Sequence, residues 1–446
     1  MKITRVFITI VLILIMSVSG KSQPNYINNI SLPAKQYMLV GVQNDMFVQA
    51  FLKRWRPNTD FVRFSGTANY LRRFEKVASI KEPETGQTIV VDLVNGDEFE
   101  VVKSITSTIY AGEPGVGSKE VVVQFLGDSF TRGEYFKNAI LEKGYVPKVK
   151  CVGLRRSNDI AGQFHEGRGG WTLENYFSNN TENEVFFNPF FQPQKAYRFW
   201  GTTAFWKNAY GIENKTISTE SFEPRYSCDY YDTSKFNEEG WLKKPKTNDI
   251  MFDSSSKNYL KWNGKSWIKV DENDLVWSFQ YSKYLSMWHI APPKFLVVML
   301  GLNDFRNRSF PTDYSKWNGR IESLLASYKT AVPDGKLILC TPSTSSGSLN
   351  NTAGDFTTRQ NASMWEHRKN IIEVFDNREN EGIYIVDASI SIDNDYGYNT
   401  TNTELPYDGY LGEHKLTIQK GNPHPYLSYP NLGISIAAFI QYHRNK

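Results

Sequence analysis

The sequence predicts an α/β fold, a parallel sheet domain preceded by a small β-sandwich, and three observations predict it. First, five continuous apolar runs read as strands buried on both faces: Glu120 to Leu126, Val149 to Leu154, Phe295 to Leu300, Lys336 to Cys340 and Ile383 to Val386. Second, helix-compatible stretches alternate with them at Glu134 to Lys143, Ser315 to Ala331, Met364 to Asn377 and Leu432 to His443, which calls for right-handed crossovers. Third, the chain before residue 119 has a different texture, built from short β-branched and aromatic runs punctuated by turn residues.

Taken in order, the chain opens with Lys2 and Arg5, a nearly unbroken apolar run from Val6 to Val18, and then Ser19-Gly20-Lys21-Ser22. This is the pattern of a Sec-type signal peptide over residues 1–22, too short to span a bilayer core of about 30 Å. It predicts a secreted or periplasmic protein with no stable membrane insertion after cleavage; an uncleaved anchor is the alternative. The stretch holds no cysteine, so a lipoprotein anchor gains no support. Residues 24–118 follow as the β-sandwich, with strands expected at Gln36 to Val42, Phe61 to Phe64, Thr88 to Leu93, Glu98 to Ser104 and Ser107 to Tyr110. Ala111 to Gly117 reads as a linker. The α/β domain then spans 119–446, interrupted at about 178–280 by an insertion dense in aromatics. Within it, the alternation of residues 259–270 around Asn263-Gly264 is a strong hairpin signal. Long insertions on such scaffolds form lids, substrate rims or packing elements.

Composition narrows the function classes. The formal net charge is only +4, and no run of five Lys or Arg occurs, so charge does not imply a nucleic-acid partner. Aromatic residues make up 14% of the chain, enough both for a core and for faces on which sugar rings could pack. The cysteines are three, Cys151, Cys228 and Cys340, an odd set with no Cys-x-x-Cys spacing and no Cys/His cluster. Neither a metal site nor a cofactor motif is indicated.

Open parallel sheets bind ligands where their strands end. After the first buried run stands Gly127-Asp128-Ser129-Phe130. Beyond the second lies His165-Glu166-Gly167-Arg168-Gly169-Gly170-Trp171-Thr172. After the third comes Gly301-Leu302-Asn303-Asp304, and before the last helix Gly421-Asn422-Pro423-His424-Pro425. Each triplet alone is a weak signal; four in order, at the ends of the right elements, are a strong one.

Together these blocks resemble the SGNH, or GDSL, hydrolase family over residues 120 to 446 apart from the insertion. The resemblance implies a flavodoxin-like, three-layer domain with a parallel five-stranded sheet and a carboxylic ester hydrolase activity. Carried over by residue, Ser129 matches the nucleophile, His424 its general base, and the Ser129 N–H, the Gly170 N–H and the Asn303 amide the oxyanion hole. Gly167 and Gly169 are near enough to leave the register of Gly170 open. Asp128 is implied to orient the turn without taking part in the chemistry. Simpler roles exist for each: a helix N-cap for Ser129, a surface or core histidine for His424, a turn glycine for Gly170, a helix cap for Asn303. One departure matters: where the family has an Asp three residues before the histidine, this chain has Gly421. A backbone carbonyl or a distant acid such as Asp408 then orients His424, or the pair works as a dyad.

Three functions follow. Foremost is an exported esterase removing acetyl or similar small acyl groups from a carbohydrate, suggested by the signal sequence, the aromatic-rich insertion and the N-terminal β domain. The second is a lipolytic or aryl esterase, with Phe186, Phe187, Phe190 and Phe191 as candidate walls of an acyl groove. The third is a catalytically silent glycan-binding protein, for which Gly421 is the supporting feature.

Overall fold

A computed structural model describes residues 28–54, 59–74, 76–134, 140–157, 160–179, 188–203, 245–305, 312–343, 359–393, 397, 400–404, 414–418, 424 and 427–444. The expected signal peptide, residues 135–139 of the expected 134–143 helix, Phe186, Phe187, Cys228, Asp408, Gly421 and Asn422 lie outside the described residues. The architecture is mixed α/β with several sheets.

The N-terminal part carries β1 (Lys35–Leu39), β2 (Asn44–Phe47), β3 (Asp60–Ser65), β4 (Tyr70–Arg73), β5 (Val77–Ile80), β6 (Thr88–Asn95) and β7 (Glu100–Gly112). They form two sheets, ordered β1-β7-β6-β3 and β2-β5-β4, over one apolar cluster that includes Met38, Met46, Val91 and Ile109. The two strands expected at 98–104 and 107–110 are one continuous β7. Its first half pairs with β6 through a register shift at Leu93/Val94, and Ser107 stays on the same ladder, opposite Ile89.

The central sheet contains β8 (Val121–Gly127), β9 (Val149–Val152), β10 (Phe164–Gly167), β11 (Phe295–Met299), β12 (Lys336–Cys340) and β13 (Ile383–Val386), with the two-residue strand Arg155–Arg156 antiparallel on β10. β8, β11, β12 and β13 are neighbours in that order and all parallel. On the other side of β8, β9 pairs with its first half and β10 with its last two residues. Side chains alternate between two cores, as the two-residue period of a strand requires. Val123, Phe125, Val297, Ile338 and Val386 face one cluster, and Leu126, Val298, Leu339 and Ile385 the other.

The helices around the central sheet include α1 (Ser129–Arg132), α2 (Leu173–Tyr176), α3 (Tyr281–Met287), α4 (Leu302–Phe305), α5 (Ser315–Ala331), α6 (Arg359–Phe375) and α7 (Tyr429–His443). α5 covers one sheet face with Trp317, Ile321, Leu324 and Tyr328 at helical spacing; α7 covers the other with Leu432, Ile436, Phe439 and Ile440. The N-terminal part rests on this same shell. Tyr37 of β1 meets Phe439 of α7 edge-on at 4.8 Å, and a Cβ on Gly112 would lie 2.5 Å from the Ala438 carbonyl oxygen. Arg368 of α6, almost fully buried, donates to Ser31 O at 3.0 Å and pairs with Asp387 beyond β13.

Within the insertion, strands Asn258–Trp262 and Trp267–Val270 pair antiparallel with Trp262 opposite Trp267, so their connection has four residues, not a two-residue Asn-Gly turn. Asn263 Oδ1 accepts from the N–H groups of Lys265 and Ser266, and Gly264 takes φ +101°, which only glycine adopts freely. Phe190 is fully buried, stacked at 5.3 Å on Phe279 and 4.2 Å from Tyr284, so it is a core residue. Among the described residues no helix is long and apolar enough to cross a membrane.

Candidate active site

The first chemical residue follows directly from the end of β8. Asp128 is the N-cap of α1: its Oδ1 accepts the Phe130 N–H at 3.0 Å. Capping is therefore done by Asp128, and Ser129 stands at the first helical position with its hydroxyl left for other use. The turn is tight because β8 ends against β11. A Cβ on Gly127 would sit 2.4 Å from the Met299 carbonyl oxygen, so no other residue fits there.

His424 reaches this turn from 295 residues away: its Nε2 lies 2.8 Å from Ser129 Oγ. The imidazole packs against the Phe130 ring at 5.2 Å, and both Ser129 and His424 are half-buried. If Nε2 accepts the serine hydroxyl, the ring proton is on Nδ1.

Asn303 lies at the start of α4, after β11. Its Nδ2 donates to the Trp171 carbonyl at 3.1 Å and to Asp128 Oδ2 at 3.3 Å. Two oxygen acceptors around one atom identify that atom as the amide nitrogen. The next residue, Asp304, accepts the Leu173 N–H at 3.0 Å, so the β11–α4 turn holds the start of α2 as well. Gly170 lies in the loop between β10 and α2, exposed, with φ +79°. Neither its N–H nor that of Ser129 has a protein acceptor among the described residues. Gly167 and Gly169 instead sit under the α1 turn. A Cβ on Gly167 would lie 2.3 Å from the Arg132 backbone nitrogen, and one on Gly169 2.9 Å from Arg132 Nη1. The structure thus brings Ser129, His424 and Asn303 to one turn, with the Gly170 loop tied to it through Trp171.

Beneath the loop lies a buried polar network that sequence reasoning missed. Arg168 and Glu166, both fully buried, meet at 2.8 Å, and the Arg168 N–H donates to Gly127 O at 2.8 Å. The guanidinium stacks over Trp171 at 4.9 Å. Glu166 Oε1 accepts from the Leu154 N–H at 2.7 Å and from Tyr284 OH at 2.6 Å. Gln124 donates to Tyr284 OH at 2.8 Å, and Tyr281 donates to Gln124. Burial, reinforced by Glu166, pushes both tyrosine hydroxyls well above their ordinary range, so they stay protonated and donate. Next to this, His165 Nδ1 accepts the Gly167 N–H at 2.9 Å while Nε2 lies 2.7 Å from Glu134 Oε1. Since Nδ1 accepts a backbone proton, Nε2 carries the ring hydrogen and donates to the carboxylate. The signal in the sequence was the charge-dense His165-Glu166-Gly167-Arg168 run, which an apolar pattern search passes over.

Cys151 and Cys340 are buried. No group of His, Cys, Asp and Glu that could hold a metal occurs among the described residues.

No protein-family model and no curated protein matches the sequence. Among solved structures, the chain is similar to an acetyl esterase mutant crystallised with acetate ion (TM-score 0.30, 14% identity, 70% of this chain and 93% of that one). It is similar also to a carbohydrate esterase family 3 protein from Talaromyces cellulolyticus (TM-score 0.31, 14% identity, 73% and 99%). A third is a possible lipase from Chitinophaga pinensis DSM 2588 (TM-score 0.31, 11% identity, 72% and 98%). Scores this low leave the weight on the geometry of the Ser129 turn.

Proposed function

We propose that this chain is a serine ester hydrolase of the SGNH type that removes acetyl or similar small acyl groups from a carbohydrate outside the cytoplasm. The observation that carries the proposal is the 2.8 Å contact between Ser129 Oγ and His424 Nε2 at the carboxyl end of a parallel strand. At that distance the imidazole can take the hydroxyl proton as Oγ attacks the ester carbonyl, and return it to the departing sugar oxygen. Water then repeats the sequence on the acyl-serine, releasing the carboxylic acid and restoring the hydroxyl. The negative charge on the carbonyl oxygen falls to the Ser129 and Gly170 N–H groups and to Asn303. The Asn303 amide would exchange its long 3.3 Å contact with Asp128 for the oxyanion. A donor of this kind is typically worth about 3 kcal/mol in the transition state.

The acyl group is proposed to be small because Phe190, a candidate wall for a longer chain, is spent in the core. The carbohydrate and the export rest on the aromatic-rich insertion and the N-terminal pattern of the sequence. A fluorophosphonate probe should label Ser129, and acetate release from a panel of acetylated polysaccharides should exceed release from long-chain acyl esters. Full esterase activity in Ser129→Ala would reject the assignment, and absence of labelling in the intact protein would favour a silent glycan-binding role.

A further inference from the structure

At the opposite end of the central sheet, Lys294, Lys329 and Lys336 line one cavity of about 640 Å³, together with Asp334, Glu379 and Tyr384. Lys294 directly precedes β11, Lys336 opens β12 and Lys329 sits in the last turn of α5. Ser129 follows the carboxyl end of β8, which runs parallel beside β11, so it lies at the other end of the sheet, roughly 17 Å away along a five-residue strand. The cavity is therefore separate from the candidate active site.

An ammonium group has three N–H donors. Lys294 Nζ uses one on Arg444 O at 2.8 Å, Lys329 Nζ one on Gly335 O at 3.1 Å, and Lys336 Nζ one on Tyr384 OH at 3.0 Å. Among the described residues none of the three makes an ion pair with a carboxylate. Glu379 is already paired with Lys35, and Asp334 attracts Lys329 only from a distance. Burial, then the neighbouring charges of Lys336, Arg444 and Lys119, holds Lys294 below the usual lysine range, and Lys329 is lowered by burial and by Lys336. Half-buried like charges gathered around a hollow are a cost to the fold. Gly382 adds to the picture: with φ +86°, it lies where a Cβ would be 2.8 Å from Lys329 Nζ. The backbone thus leaves room for that ammonium group at the cavity wall.

We propose that this cavity is an oxyanion-binding site, in which Lys294, Lys329 and Lys336 donate to a carboxylate, sulfate or phosphate group. Such a group can arrive as a free small anion or as a substituent of an acidic polysaccharide. The chemistry of recognition is the same, and the test separates the two. The proposal does not depend on the Ser129 site.

Isothermal titration of the full chain at constant ionic strength, with sodium sulfate, inorganic pyrophosphate and a galacturonate tetramer, provides that test. Saturable one-site binding is expected, weakened at least tenfold in each of Lys294→Gln, Lys329→Gln and Lys336→Gln, with melting curves certifying that the variants are folded. Tighter binding of the tetramer assigns the site to a polysaccharide, and tighter binding of the inorganic anions assigns it to a free ion. No saturable heat from any of the three at about 10 mM, weaker than any useful site, would overturn the proposal. So would undiminished binding by the folded glutamine variants.

Discussion

Replacing Arg168 by Met would leave the fully buried Glu166 carboxylate without its ion-pair partner. The pair meets at 2.8 Å with both side chains wholly shielded from solvent. Glu166 Oε1 would keep its bonds from Leu154 and Tyr284, while Oε2 would lose its cation. Breaking one half of a buried ion pair costs about 3–5 kcal/mol. At about 2.1 cal/mol/K per residue, the unfolding entropy of a chain of 446 residues is close to 0.9 kcal/mol/K, so Tm should fall by about 3–5 °C. Methionine would retain some packing on Trp171, which places the value toward the lower end. Glu166→Gln in the same chain removes the stranded charge while Gln Oε1 still accepts from Leu154 and Tyr284. The double variant should regain more than half of the loss. Calorimetry at pH 7 on the wild type, R168M and E166Q/R168M measures this directly. If R168M melted within about 1 °C of the wild type, or the double variant melted no higher than R168M, the pair would not be the coupled buried unit described here.

Asn303→Ala should lower kcat on an acetyl ester by about 10²- to 10³-fold with little change in KM, because the lost donor acts on charge that develops only in the transition state; an unchanged kcat removes Asn303 from the oxyanion hole. His367 is enclosed by Phe305, Tyr314 and Trp317, and burial holds its imidazole down to about 3. From pH 6.5 down to about 3 the unfolded chain binds a proton that the folded chain refuses. Stability should therefore fall by about 1.4 kcal/mol per pH unit across that window, and His367→Phe should flatten the slope of Tm against pH there. Gly301→Ala should be poorly folded or inactive, since φ is +117° and the added Cβ would meet His367 Nε2 at 2.1 Å; soluble protein with normal activity would contradict this. Cys151 and Cys340 should resist a thiol reagent in the native protein, Cys340 being held protonated by burial and by Asp387, and should react on unfolding.

The sequence by itself determined the elements whose apolar residues are continuous or keep a helical period. Lys336 to Cys340 and Ile383 to Val386 form the strands expected of them, and α5 runs from Ser315 to Ala331 as its periodicity predicts, because burial of such runs needs no particular partner. Ser129 and Asn303 could likewise be read as following strands directly, where parallel sheets present ligand-binding residues. Tertiary structure decided whatever depends on polar residues finding one another. Phe164–Gly167 has no apolar pattern, yet it is a strand of the central sheet because Glu134, Tyr284 and Arg168 satisfy the charges it buries. β7 is continuous because β6 supplies a ladder across both halves, which local propensity does not reveal. The Asn-Gly segment closes a four-residue loop because Trp262 and Trp267 pair beyond it. Above all, the 2.8 Å approach of Ser129 and His424 joins residues 295 apart, a distance that only the packing of α1 and α7 on one sheet face can set.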